Sequence, residues 1–106
     1  MLFEIRTYTC KPGKRDEWVK WAEEKVIPFQ VAKGVVVVGS FVSSDDPDVY
    51  VWIRRFSDQA DKDHLYKAVY EDPVWKSDIG PRNAELLFRE KAVVTNLTPT
   101  PHSVIR

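Results

Sequence analysis

Residues 49–56 alternate between two kinds of side chain with the period of two that a β-strand imposes. The odd positions include the β-branched Val49, Val51 and Ile53, whereas the even positions carry aromatic rings and an arginine. Residues 2–10 alternate in a similar way. Both segments are therefore predicted to be strands with one ordinary apolar face and one face that mixes aromatic and charged side chains, as in a lined cavity or a packed interface.

Residues 14–32 repeat their apolar positions every three or four residues, which is typical of an amphipathic helix lying on a core. Trp18 and Trp21 fall on the inner face, where they are expected to pack between the helix and the sheet. Pro28 lacks a backbone donor, so the helix should kink or restart at this residue before it ends at Gly34.

A second helix is predicted later in the chain, capped at its start by Ser57 or Asp58. This helix should stop at Asp72 and Pro73, because proline cannot continue the hydrogen-bond ladder. A further short helical stretch is predicted to open at Pro81, since proline is well tolerated in the first turn of a helix.

Two more strands complete the predicted fold. The β-branched run at residues 35–42 and the run at residues 88–97 both favour a strand. Strand, helix, strand, strand, helix, strand is the ferredoxin-like βαββαβ order, an α+β class in which both helices cover one face of a four-stranded antiparallel sheet. Residues 1–106 are predicted to form this single domain, with 98–106 as a proline-rich tail that lacks regular structure.

The face of the sheet without helices is predicted to carry the even-numbered side chains of the first and third strands. These residues are the candidate ligand-binding set: Glu4, Arg6, Tyr8, Tyr50, Trp52, Arg54 and Phe56. Leaving large aromatic side chains in water forfeits about 1.5–3 kcal/mol for each. A second copy of the chain is therefore predicted to cover them, in a homodimer whose two sheets face each other across an enclosed cavity.

The composition narrows the possible partners. Sixteen Lys and Arg balance sixteen Asp and Glu, and no basic cluster marks any element, so neither nucleic acid nor an anionic membrane is expected as a partner. The longest apolar run, residues 35–38, is far shorter than the roughly 20 residues of a membrane span. Charged residues from Glu4 onward argue against a secretory segment, so a soluble cytoplasmic protein is expected. Cys10 is the single cysteine, and it is expected to pack rather than to react.

Two blocks of the sequence match landmarks of a known family. The first block starts at Glu4 and reads Glu-Ile-Arg-Thr-Tyr-Thr, then Lys-Pro-Gly-Lys and, shortly after, Asp-Glu-Trp. The second is the Asp-Pro-x-Trp motif at residues 72–75, preceded at similar spacing by Trp52 and Phe56. Together these blocks resemble a NIPSNAP domain over nearly the whole chain. The resemblance implies a dimeric α+β barrel with its sheets face to face, whereas the family itself has no settled biochemical activity.

The chemistry of the candidate set favours a small anionic or aromatic ligand. Arg6 and Arg54 belong to the residue type that clamps a carboxylate or enolate. Tyr8 can exchange one hydrogen bond, and Trp52 offers a flat apolar surface. Arg6, Tyr8 and Arg54 are accordingly the candidate catalytic residues. Related barrels include monooxygenases that need neither metal nor flavin, so the leading hypothesis is a small-molecule-binding protein, with cofactor-free monooxygenase or isomerase chemistry on an anionic or aromatic metabolite.

Two alternatives interpret the same chain differently. In the first, Glu4 pairs with Arg6 or Arg54 and the aromatic side chains fill the barrel, which leaves a protein-interaction or assembly module without enzymatic activity. In the second, His64 on the second helix ligates haem, as histidines do in several barrels of this group, although its charged neighbours favour a surface position. His102 lies in the tail, and neither a metal site nor a cofactor is predicted.

Overall fold

Four antiparallel strands form one sheet in the computed structural model, which describes residues 1–106. The strands are β1 (Leu2–Thr9), β2 (Val36–Val42), β3 (Val49–Phe56) and β4 (Val93–Leu97). Their spatial order is β2-β3-β1-β4, so the first and third strands are the central neighbours. The predicted ferredoxin-like α+β fold is therefore confirmed.

The helices follow the predicted order, with two irregular turns between them. They are α1 (Arg15–Trp21), α2 (Ile27–Ala32), α3 (Gln59–Tyr70) and α4 (Gly80–Leu86). A π-helical turn joins α1 to α2, and Pro28 stands in the first turn of α2, where its missing N–H breaks few hydrogen bonds. The helix does not restart at this proline, since the backbone stays helical from Arg15 to Ala32, and the predicted irregularity takes the form of the π-helical turn that precedes Pro28. No helix combines the length and the apolar character needed to cross a bilayer.

Local signals in the sequence place most element ends correctly. The Asp58 side chain accepts a hydrogen bond from the backbone N–H of Asp61 and so caps α3, as predicted. β4 is shorter than predicted, because the charged run Arg89–Lys91 forms a 3₁₀ turn instead of joining the strand. Three consecutive charged residues offer no apolar alternation, so this turn keeps all of them on the surface.

The sheet face that packs against the helices is the opposite of the one predicted. Trp18, from α1, places its ring 5.8 Å from the Tyr8 ring and 5.7 Å from the Tyr50 ring, measured between centroids. Phe56 belongs to a second buried cluster with Leu65 of α3. The even-numbered side chains of β1 and β3 therefore point towards the helices.

The prediction that this set lies on the helix-free face is wrong for all seven members. They are Glu4, Arg6, Tyr8, Tyr50, Trp52, Arg54 and Phe56. The physical reason is twofold. Large rings fill the space between the sheet and the helices, and the charged members find hydrogen-bond partners on the helices, such as Gln30 and Tyr66.

The helix-free face is formed by the odd-numbered side chains of β1, β3 and β4, and Val36 joins them because a bulge between Val37 and Gly39 shifts the alternation on β2. On its outer strands, four apolar residues are between 42% and 57% exposed: Val36, Phe41, Val93 and Leu97. The tail lies across part of this face and encloses an apolar hollow of about 330 Å³ beside Phe3, Ile5 and Ile53. The rest of the face is left without a covering element.

Candidate functional site

A cavity of about 230 Å³ lies between the sheet and the helices of one chain. At about 30 Å³ for each molecule of liquid water, this volume corresponds to roughly eight waters or to a small one-ring compound. Indole rings of Trp18, Trp52 and Trp75 contribute to its lining. Its polar lining residues are Arg6, Tyr8, Tyr70, Asn83 and Arg89. The lining contains no carboxylate side chain.

A buried ionic cluster centred on Glu4 adjoins this cavity. Glu4 is fully buried on β1, and its Oε1 accepts a 2.6 Å hydrogen bond from Nε of Arg6 and a further one from Arg54. Its Oε2 accepts a hydrogen bond from the Tyr66 hydroxyl and lies 3.1 Å from Nζ of Lys62. One carboxylate therefore faces three cationic side chains.

The electrostatics of the cluster keep Glu4 ionised and Tyr66 protonated. Burial raises the pKa of Glu4, but the positive charge of Arg54 and the hydrogen bond from Tyr66 outweigh this effect and lower the pKa from 4.5 to about 2. Burial and the hydrogen bond to Glu4 raise the pKa of Tyr66 to about 12. With three cations against one anion, the cluster retains an excess of two positive charges.

Arg54 is fully engaged within the protein. Its Nη1 donates to Oε1 of Gln30 at 2.8 Å and to the Tyr70 hydroxyl at 3.0 Å. Its guanidinium also lies 5.0 Å from the centroid of the Trp52 ring, within range of a cation–π interaction. Because Arg54 is only 1% exposed and does not line the cavity, its role is to hold the cluster together rather than to contact a ligand.

Arg6 is the cation that connects the cluster to the cavity. Its Nη2 donates to the Tyr66 hydroxyl at 2.9 Å, and its Nη1 makes only a long 3.4 Å contact with the Tyr8 hydroxyl. The side chain remains 19% exposed and lines the cavity. Glu4 and Tyr66 thus hold the guanidinium from one side, while its other edge can donate to a molecule in the cavity.

Three of the seven predicted site residues line the cavity, namely Arg6, Tyr8 and Trp52. The other four lie deeper in the structure. Glu4 and Arg54 form the ionic cluster, Tyr50 shares a 2.6 Å hydrogen bond with Ser40, and Phe56 packs in the core.

The cavity also uses residues that the sequence analysis did not select. Asn83, Tyr70, Trp75 and Arg89 all line it. One signal for Asn83 was present: it follows Ile79 by four residues and precedes Leu86 by three, so it occupies an inward position of a helical repeat. A polar residue at such a position indicates either a buried hydrogen bond or a binding site.

Other reactive side chains do not contribute to the cavity. His64 is exposed on α3 and is not among the lining residues, so the haem alternative gains no support from its position. Cys10 is fully buried, and burial raises the pKa of its thiol to about 11, which suits a packing role. His102 is exposed in the tail.

The fold and the cavity together define an α+β protein of the ferredoxin-like class, with a small-molecule-sized chamber between its sheet and its helices. The sequence model of the NIPSNAP family matches residues 3–104. The chain therefore belongs to the NIPSNAP family. None of the curated proteins matches the chain.

Solved structures agree with this assignment. A NIPSNAP family protein of unknown function from Agrobacterium tumefaciens is 30% identical over 100% of this chain and 94% of its own, with a TM-score of 0.88. An uncharacterized NIPSNAP domain protein from Burkholderia xenovorans is 21% identical over 97% and 98% of the two chains, with a TM-score of 0.86. An antibiotic biosynthesis monooxygenase is 20% identical over 95% and 100%, with a TM-score of 0.70, and shares the fold.

Proposed function

We propose that the cavity binds a small aromatic molecule that carries an anionic group, with Arg6 as the partner of that group. The excess of positive charge beside the cavity is the observation that carries this proposal. Three cations surround Glu4, and only Arg6 extends from this cluster to the cavity surface. An anion in the cavity would lower the electrostatic energy of the cluster and take up the free donors of Arg6.

The rest of the lining supports an aromatic ligand. Trp18, Trp52 and Trp75 present extended apolar ring surfaces, and an aromatic ring packs favourably against them. Because no carboxylate faces the cavity, nothing in the lining would repel a negative charge. This combination of apolar rings with a few polar groups is typical of small-molecule sites.

Binding of benzoate tests the proposal, and isothermal titration calorimetry is the suitable measurement. Benzoate should bind, and Arg6→Gln should weaken its binding by roughly 10- to 150-fold, because a charge-assisted hydrogen bond contributes about 1.5–3 kcal/mol. Benzyl alcohol, which has the ring without the charge, should bind weakly to both proteins. Arg55→Gln is the matched control, since Arg55 follows Arg54 on β3 and points to the opposite face.

Two results would contradict this proposal. One is that neither benzoate nor the larger 2-naphthoate binds at millimolar concentration. The other is that a folded Arg6→Gln variant, judged by its circular dichroism spectrum, binds benzoate as well as the unmodified protein does.

We further propose that the bound molecule undergoes cofactor-free oxygenation or isomerisation. The shared fold of the antibiotic biosynthesis monooxygenase supports this reaction class, as do lining donors that would stabilise an oxyanion of the substrate. Oxygen uptake by electron-rich phenols in the presence of the protein checks the oxygenase form. An uptake rate equal to that of the phenol alone, or one unchanged in Arg6→Gln, would count against it.

The competing interpretation as an assembly module with a filled interior has less support. The ion pairs of Glu4 with Arg6 and Arg54 that it predicts are present. However, the aromatic side chains leave a cavity of about 230 Å³ between them and the helices instead of filling that space. A small-molecule site therefore explains more of the structure.

We also propose that the chain forms a homodimer through its helix-free face. This role now falls to the apolar side chains of the helix-free face rather than to the candidate ligand-binding set, which points towards the helices. Val36, Phe41, Val93 and Leu97 remain 42–57% exposed on this face, and full burial of such side chains contributes about 1.5–3 kcal/mol each. Light scattering should report a dimer that Phe41→Lys weakens, whereas a monomer at high concentration would refute it.

A further inference from the structure

Asn83 presents an unused hydrogen-bond donor in the cavity. The residue is 9% exposed, and its Oδ1 accepts a 2.8 Å hydrogen bond from the indole N–H of Trp21. An indole nitrogen can only donate, so this contact identifies which end of the amide is the oxygen. The amide NH₂ group must then point away from Trp21, and it has no hydrogen-bond partner within the protein.

The backbone around Asn83 holds this amide in place. Asn83 lies on α4, between the buried Ile79 and Leu86, which anchor the segment in the core. Gly80 lets this segment approach closely, because a Cβ there would lie 3.1 Å from the carbonyl oxygen of Trp75. The NH₂ group is therefore a fixed donor rather than a mobile surface amide.

The other polar groups in the cavity are arranged to donate as well. The Tyr8 hydroxyl accepts the long contact from Arg6, and the Tyr70 hydroxyl accepts from Arg54. Each hydroxyl oxygen already interacts with a cation, so its own proton is the group left to offer. A molecule that fits this lining must supply acceptor oxygens at more than one position.

We propose that Asn83 is a specificity-determining residue that donates a hydrogen bond to a second oxygen of the ligand. The ligand class that can bind both Arg6 and Asn83 is a one-ring aromatic acid with a hydroxyl or oxo substituent. Its acid group would pair with Arg6, and its second oxygen would accept from Nδ2 of Asn83. This inference rests on the proposed function and narrows its ligand class. The hydrogen bond from Asn83 adds affinity only for a ligand that carries the second oxygen, so such a site discriminates against analogues that lack it.

Calorimetric titration with benzoate and with its three hydroxy isomers tests the inference. At least one of 2-, 3- and 4-hydroxybenzoate should bind about tenfold or more tightly than benzoate. Asn83→Leu keeps a similar volume without the donor, so it should abolish this preference, measured in the same protein as the ratio of the dissociation constants of benzoate and the preferred isomer. Gln59→Leu, which removes an exposed side-chain amide outside the cavity lining, should leave the preference intact.

Two further variants keep the test informative if Asn83→Leu does not fold. In Asn83→Asp the side chain still accepts the hydrogen bond from Trp21 but places a negative charge in the cavity. This variant should therefore weaken the binding of benzoate and of all three hydroxybenzoates. Trp21→Phe frees the amide to rotate and should reduce the preference by less than Asn83→Leu does, as expected of a positioning residue.

The outcomes separate the two proposals. Failure of benzoate and all its isomers to bind would refute the small-anion site itself. Binding of benzoate with no isomer preferred, or a preference that survives in Asn83→Leu, would overturn the role of Asn83 and leave the site standing.

Discussion

Replacing Glu4 with glutamine should destabilise the protein by about 3–5 kcal/mol at pH 7. The substitution keeps the shape of the side chain but removes the one negative charge among Arg6, Arg54 and Lys62. Three cations would then be held close together with little access to water. Since small domains are stable by only about 5–15 kcal/mol, a loss of this size is a large fraction of the total. Urea unfolding followed by tryptophan fluorescence measures it.

The same carboxylate should make stability depend on pH. Folding lowers the pKa of Glu4 from 4.5 to about 2, so between these values the unfolded chain binds more protons than the native protein does. The stabilisation from Glu4 is therefore complete above about pH 4.5 and is lost as the pH falls towards 2. Its size is about 3 kcal/mol, at 1.36 kcal/mol for each pKa unit.

Comparing variants isolates this contribution from the other carboxylates. The stability difference between the unmodified protein and Glu4→Gln should shrink steadily between pH 5 and the lowest pH at which both fold. Glu17→Gln removes an exposed carboxylate that pairs with Lys14. The stability of this variant should differ little from that of the unmodified protein over the whole pH range. If the stability difference between the unmodified protein and Glu4→Gln is the same at pH 7 and at pH 3, the ion-pair explanation is refuted.

Replacing Arg54 with methionine should also cost about 3–5 kcal/mol of unfolding free energy. Methionine fills much of the space but donates nothing, so the buried Gln30 oxygen and the Tyr70 hydroxyl both lose a donor. Glu4 would retain Arg6 and Lys62, which limits the loss. Denaturant unfolding at pH 7 gives the value.

Two companion variants identify the cause. The unfolding free energy of Arg54→Lys should lie between those of the unmodified protein and Arg54→Met. The ammonium of lysine keeps the positive charge but cannot reach Glu4, Gln30 and Tyr70 together. Arg55→Met, on the opposite face of β3, should change stability by less than about 1 kcal/mol. Equal losses for Arg54→Met and Arg55→Met would mean that the cluster does not stabilise the fold.

Most of the fold could be predicted because its signals are local. Alternation with a period of two identified β1 and β3, and a repeat of three to four residues identified the helices. Asp58 capped α3 as expected, and Pro28 marked the irregular π-helical turn between α1 and α2. The order of these elements leaves few ways to connect them, so the sheet topology followed.

The candidate site could be predicted only in part. Arg6, Tyr8 and Trp52 were selected because an aromatic and cationic strand face is unusual, and all three line the cavity. Asn83 was missed, because its inward position in the helical repeat fits a buried hydrogen bond as well as a binding site. Its proposed role depends on Trp21, which lies 62 residues away in sequence and donates its indole N–H to the amide oxygen of Asn83.

The sequence by itself determined that β1 and β3 each have two chemically different faces, and it determined the order of the elements. Only the tertiary structure decided which face receives the helices, because alternation separates two sets of side chains without labelling either one as inner. Glu4 and Arg54 settle the choice by finding Gln30, Tyr66 and Tyr70 on the helices. Such contacts between distant segments, rather than local periodicity, place the cavity inside one chain.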